Sequence, residues 1–420
     1  MSEKFIIEGG KKLKGEIEIN GAKNAALKIF AASILTDQEW QIENVPHVKD
    51  VFNEIELLKD LGAEIEKIDE RTYKIKARDI KNTKLREDLA QKIRASIVLV
   101  GPMLARKGEV EFIYPGGCVI GRRPIDIFLD GFKALGAEVA EANGRFKLTT
   151  SGLRGNNFVF PRVSVTGTEA LILTAVLAKG KTIFKNTAQE PEIKTLVDFL
   201  NKCGAKIKGA GTSTIEIEGV NKLEKGTFKL IPDRIEAGTF AILAAATGSH
   251  IKINNCNPQH LESLWLHLKK TGANFELGEN FVEVKPTLKL KTVNVTTHEY
   301  PGFATDLQPP FTVLMTQAEG RSLIHETLFE SRLFYTDILN QMGGDIIMCD
   351  PHRVIVNGPT RLHGKTITSP DLRAGIALVI AALVAQGTTT IENIEQIDRG
   401  YEKIEERLQK IGADIKRVSN

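Results

Sequence analysis

The chain has 420 residues, 42% of them hydrophobic and 26% charged, which is enough for two or three domains and a large buried core. Lys plus Arg number 56 against 53 Asp plus Glu, a net charge of +3. That excess is too small for a nucleic-acid-binding face, which needs clustered basic charge, but it leaves room for a local anion site.

Residues 1–8 show neither a basic n-region nor an apolar h-region, so no signal peptide is expected. From there the chain repeats one pattern six times. An amphipathic helix ends on a Gly-Ala or Gly-Gly pair at Gly62, Gly136, Gly204, Gly272, Gly343 and Gly412, about 70 residues apart, the spacing of a structural repeat. Glycine just past a helix takes the left-handed position at little cost. In three units a Gly…Leu…Gly signature marks a strand pair, at Gly10…Leu13…Gly15, Gly219…Leu223…Gly226 and Gly358…Leu362…Gly364. A small-residue apolar helix follows in each unit, over 25–35, 95–104, 169–177, 237–246, 311–317 and 374–385. These helices are apolar all round, so they should be buried. The last is too short for a membrane span, which takes about 20 residues. A strand comes next, as at 181–185 and 388–392, and then the second helix. In 401–411 the apolar Ile404, Leu408 and Ile411 fall on one face. Alternating strands and helices give an α/β class.

Two loops in each unit lead into helix N-termini, where free N–H groups favour anions. The first holds Lys23 and Asn24, Arg94, Ser164 to Thr166, Asp233 and Arg234, Asp306, and Asp371 to Arg373. The second holds His47, Cys118 to Arg123, Glu190, Asn257, Arg332 and Arg399. Any one of these reads as a helix cap or a solvated charge. However, Lys23, Arg94, Arg123, Arg332, Arg373 and Arg399 share just two slots, and repeats packed about a common axis would gather them. Between Tyr114 and Pro124 three glycines and two prolines exclude helix and central strand, which suggests a lid. Its Cys118 lies near Arg122 and Arg123, which would favour the thiolate. Cys203, Cys256 and Cys349 read as structural, and no Cys or His spacing suits zinc. A reduced, cytoplasmic setting is expected.

Gly21-Ala-Lys-Asn-Ala-Ala26, Pro115-Gly-Gly-Cys-Val-Ile-Gly-Arg-Arg-Pro-Ile-Asp126, Thr305-Asp306, Asp371-Leu-Arg373 and Ile397-Asp-Arg-Gly-Tyr401 resemble the enolpyruvyl transferases over essentially the whole chain. They resemble in particular the branch acting on UDP-N-acetylglucosamine at the first committed step of peptidoglycan synthesis. The resemblance implies six βαβαββ repeats in two three-repeat domains, an inside-out α/β barrel arrangement, facing each other across a cleft. It places a catalytic domain at 1–22 plus 231–420 and a second domain, with the Cys118 lid, at 23–230.

It also implies phosphoenolpyruvate and UDP-N-acetylglucosamine as substrates, with no cofactor, metal, nucleic acid or membrane. Lys23, Asn24, Arg123 and Arg399 match phosphoenolpyruvate contacts. Arg94, Arg123, Pro124, Ile125, Asp126, Ile127, Arg162, Val163, Ser164, Val165, Asp306 and Leu328 match nucleotide-sugar contacts. Cys118, Asp306, Lys23, Asp371 and Arg399 match catalytic positions, and Cys118 is also the expected site of a pyruvyl adduct and of fosfomycin attack. Arg162 stands where the family pattern has a lysine, and Arg122 where it has a small residue.

Phosphoenolpyruvate, close to triply negative, needs several cations, a task suited to Arg. Asp306 is the expected base for the acceptor hydroxyl, while a capping role for it near Pro309 stays open. Two rivals are the sister transferase acting on shikimate 3-phosphate and a non-enzymatic repeat protein.

Overall fold

A computed structural model describes residues 3–117, 120–121 and 123–419. They form two compact units: 21–117 with 123–231, called the first unit, and 3–20 with 120–121 and 232–419, the second. Each has its own hydrophobic core.

In five of the six repeats the strand after the apolar helix lies inside the sheet. It pairs with a parallel edge strand on one side and an antiparallel strand on the other. In the first unit Glu39–Glu43 lies between Gly226–Lys229 and Tyr73–Lys76, and Lys181–Lys185 between Asn157–Val159 and Thr214–Glu218. The third sheet has three strands, and a lone parallel bridge from Lys84 to Glu111 stands where the edge strand would be. In the second unit His250–Asn254 pairs with Lys14–Glu18, Gly320–His325 with Val295–Thr296, and Thr388–Glu392 with Thr366–Thr368, all parallel. Two edge strands come from far along the chain: Gly226–Lys229 closes the sheet begun at residue 39, and Lys14–Glu18 the sheet begun at 250. The α/β class and the six repeats in two sets of three are thus borne out.

The apolar helices form the centre of each unit. In Leu372–Val384 everything from Leu372 to Leu383 is buried, and it packs on Arg234–Thr247 and Gln308–Thr316. Strands alternate around them: Thr182 and Phe184 face inward while Lys181 and Lys185 stay in solvent. The six repeat-ending glycines all have φ between 82° and 109°, the left-handed region.

Three local expectations differ from the structure. The helix expected over 401–411 spans only Ile404–Lys410, because Lys403 takes φ 41° and breaks the turn. The helix expected over 95–104 is a 3-10 segment, Arg94–Leu99, running into Val100–Lys107. Pro102, which has no N–H, fits only in the first turn of an α-helix, so the α-helix begins at Val100. Finally, the Gly…Leu…Gly signatures mark crossings between sheets, not paired strands. The strands on either side belong to different sheets in all three cases, with Leu13, Leu223 and Leu362 buried as anchors.

One recurring device has a plain sequence signal. Asn44, Asn186, Asn255 and Asn393 each follow a central strand, with φ of 53–59°. Each carboxamide donates to the carbonyl just past the parallel edge strand: Leu230, Phe160, Ile19 and Ser369 respectively, at 2.7–3.0 Å. Asn tolerates the left-handed region well, so one residue both turns the chain and ties two strands.

Candidate active site

In the second unit, Asp306 sits in a 3-10 turn, Thr305–Leu307, ahead of helix Gln308–Thr316. It does not cap that helix, whose N-cap is Leu307. Its carboxylate instead takes two buried guanidiniums. Arg332 Nη1 donates to Oδ1 at 3.0 Å, while Arg373 Nε and Nη2 reach Oδ2 at 3.0 and 2.8 Å. Burial disfavours the Arg373 cation most strongly of any single cause, but Asp306, Tyr401 and Asp233 together outweigh it and hold the guanidinium above its ordinary range. Arg373 also donates to the Tyr401 hydroxyl at 3.2 Å, which is 2.9 Å from Thr239 Oγ1. Burial raises the Tyr401 phenol. Asp371 caps helix Leu372–Val384, accepting from the N–H groups of Arg373 and Ala374 at 2.9 and 3.1 Å. Arg399 donates to Gln396 at 3.1 Å. The preceding Asp398 is gripped by both terminal nitrogens of Arg417, at 3.1 and 2.7 Å. The Leu328 N–H donates to Glu326.

In the first unit Lys23 opens helix Lys23–Ala32 and is buried, its ammonium 3.1 Å from the equally buried Asp50. It is therefore not the solvated lysine that its sequence context allows. Asn24, beside it, accepts from Lys28 through its carbonyl at 3.2 Å. Arg94 stacks 5.6 Å from the Tyr114 ring centre and donates to the carbonyls of Arg123 and Pro124. The Tyr114 hydroxyl donates to the same Arg123 carbonyl at 2.8 Å. Gly116 and Gly117 pass so close to Gln91 and Arg94 that a Cβ on either would meet backbone or Cβ atoms at 1.5 and 3.0 Å. The start and the end of the Gly-rich segment are thus both tied to residues 91–94. Ile125 and Ile127 are buried in the core, and Asp126 pairs with Arg162 at 3.1 Å on the surface. Ser164 caps helix Val165–Ala175 through Gly167 N–H at 3.1 Å, with Val163 and Val165 half-buried beside it.

Cys118 and Arg122 lie outside the described residues. Cys203 and Cys256 are buried, and burial pushes both thiols up to about 11. Cys349 is exposed. Sequence reasoning did not single out Asp50, Glu326 or a role for Tyr114. An acidic residue in a helix is too common a feature to stand out, and only packing pairs Asp50 with Lys23.

Each three-repeat α/β unit carries polar clusters at helix N-termini. A family model described as EPSP synthase (3-phosphoshikimate 1-carboxyvinyltransferase) matches residues 7–408, and the chain belongs to that family of enolpyruvyl transferases. It is 44% identical, over 99% of its length and 96% of the relative's, to a UDP-N-acetylglucosamine 1-carboxyvinyltransferase from Koribacter versatilis. It is 45% identical to one from Desulforapulum autotrophicum, over 99% and 100% of the two chains. Among solved structures, the enolpyruvyl transferase NikO from Streptomyces tendae superposes with a TM-score of 0.90 at 25% identity, covering 100% and 99% of the chains. EPSP synthase from Acinetobacter baumannii shares the fold, with a TM-score of 0.76 at 18% identity over both whole chains. The family expected from the motifs is thereby borne out.

Proposed function

We propose that this chain, working in the cytoplasm, transfers the enolpyruvyl group of phosphoenolpyruvate to the 3'-hydroxyl of UDP-N-acetylglucosamine, releasing phosphate. This would be the first committed step of peptidoglycan synthesis. The observation that carries the reading is full-length identity of 44–45% to transferases named for that acceptor. Lys23, Asn24, Arg123 and Arg399 meet the carboxylate and phosphate of phosphoenolpyruvate. Arg94, Arg123 to Ile127, Arg162 to Val165, Asp306 and Leu328 meet the nucleotide sugar. Asp306 accepts the proton of the acceptor hydroxyl as its oxygen bonds to the second carbon of the enol. Cys118 or Lys23 gives a proton to the methylene carbon, which forms a tetrahedral phospho-ketal. Loss of phosphate and of a methyl proton restores the vinyl group. Asp371 and Arg373 act beside Asp306, the first by holding the helix that carries the second.

The family model's own description favours a second reading, with shikimate 3-phosphate as acceptor. Phosphate release separates the two. The purified chain is expected to release phosphate from phosphoenolpyruvate only with UDP-N-acetylglucosamine present, and to do so in excess chelator. Turnover with shikimate 3-phosphate instead, or a strict divalent-ion requirement, overturns the proposal.

A further inference from the structure

Four of the six repeats place a left-handed Asn after the central strand. In the fifth repeat Glu326 stands there, after Gly320–His325, and the residue past its edge strand Val295–Thr296 is Thr297. A carboxylate has no proton to donate, so the strand tie cannot be made in the usual way. Glu326 instead collects three donors while fully buried. Oε1 accepts from Thr297 Oγ1 at 3.1 Å and from Leu328 N–H at 2.9 Å, and Oε2 accepts from Thr305 Oγ1 at 2.8 Å. Those bonds compensate the buried charge.

They also set the direction of every bond beyond it. A threonine hydroxyl has a single proton, and Thr305 gives it to Glu326. Its oxygen is then turned to accept from Arg332 Nη1 at 2.8 Å, and the same nitrogen donates its other proton to Asp306 at 3.0 Å. The relay therefore joins Glu326, Thr305, Arg332 and Asp306, with Arg332 donating toward Glu326 through Thr305 on one side and to Asp306 on the other.

We propose that Glu326 is a positioning residue for the reaction. Acting through Thr305, it aims the Arg332 guanidinium and so fixes the plane and place of the Asp306 carboxylate. The proposal rests on the reading of Asp306 as base and adds the residue that orients it. A substitution at the Asn position has thus turned a structural tie into support for the reactive carboxylate.

The test is a double-mutant cycle on the full chain, following phosphate release with phosphoenolpyruvate and UDP-N-acetylglucosamine alongside thermal unfolding. Glu326→Gln keeps the size of the side chain but turns an amide NH2 toward groups that donate to this position in the native chain, so that a hydroxyl must reverse its bond or an N–H lose its acceptor. It is expected to lower kcat about 10- to 100-fold, the scale of a misplaced reacting group. In an Asp306→Asn background the same change is expected to alter kcat less than about 2-fold, since residues acting as one unit are not additive. An equal loss in both backgrounds, or an unchanged kcat in a folded Glu326→Gln protein, overturns the positioning role and leaves the Asp306 reading standing. A near-normal rate for Asp306→Asn alone overturns that reading, and the proposal with it. If Glu326→Gln does not fold, Thr305 decides. Thr305→Val, lacking the hydroxyl, must lose clearly more turnover than Thr305→Ser, and equal losses overturn the relay.

Discussion

The two units bury charge in opposite ways. Around Asp306 the second unit sets two guanidiniums, Arg332 and Arg373, against two carboxylates, Asp306 and Glu326. Every carboxylate oxygen there has a donor within 3.1 Å. The first unit sets two ammoniums, Lys23 and Lys28, against Asp50, Glu54 and Glu169. Lys28 is 3.3 Å from the fully buried Glu169, while neither oxygen of Glu54 makes a well-formed hydrogen bond among the described residues. Burial pushes Glu169 up to about 7 and Glu54 well above the carboxylate range. Arg forks lock geometry, whereas Lys is a point charge. The second unit therefore meets neutrality by direction and pairing, the first by keeping a proton. The same repeat scaffold supports both.

Four substitutions sharpen or break that contrast. The largest effect is expected for Asp306→Asn, which leaves the cluster's shape but removes the charge. Turnover should fall ~10²–10⁴-fold, the usual weight of general-base catalysis. Because Leu307 occupies the N-cap, a normal rate with only a lower melting temperature would refute the base assignment.

Arg373→Met should then cost about 3–5 kcal/mol in denaturant unfolding, as when one partner of a buried ion pair is removed. A loss under about 1 kcal/mol would mean that the second unit's charges are not locked by pairing.

For Glu54 the sign follows from its raised value. The folded chain keeps the proton while the unfolded carboxyl, near 4.5, has lost it. Its contribution to stability is full below that value and is lost as pH climbs toward the folded one, at about 1.4 kcal/mol per pH unit. Glu54→Gln mimics the neutral acid, so its stability relative to the native chain should rise between pH 5 and pH 8. A difference that stays flat would show Glu54 ionised and the proton-keeping account wrong.

The smallest effect is expected for Asp126→Asn on the first unit's surface. Its exposed pair with Arg162 is worth little, so the melting temperature should hold while the KM for the nucleotide sugar rises several-fold. An unchanged KM removes Asp126 from the sugar contacts.

Much of this was legible from the residues. The six glycines past helix ends, the all-apolar helices and the alternating strands follow from local conformational cost and burial, which act within a few residues. So does the placing of Asp306, Arg332 and Arg373 at or near helix entrances. The left-handed Asn residues were also legible, as the Asn after Ile-Glu at 44 and 393, but they pass as ordinary turn residues until the carbonyl each one binds is seen. Tyr114 and Glu326 were visible only as letters at that same position.

The sequence by itself determined the repeat, the α/β class and the family, because each rests on periodicity and on motifs contiguous along the chain. Tertiary structure alone decided the partners. Asp306 meets Arg373 across 67 positions and Arg417 meets Glu3 across 414, and Lys23 is buried against Asp50 instead of lying in water. Whether a charged side chain caps a helix, pairs, or keeps a proton depends on what packing brings within about 3 Å of it and on how much water packing removes. Neither quantity is written in local order.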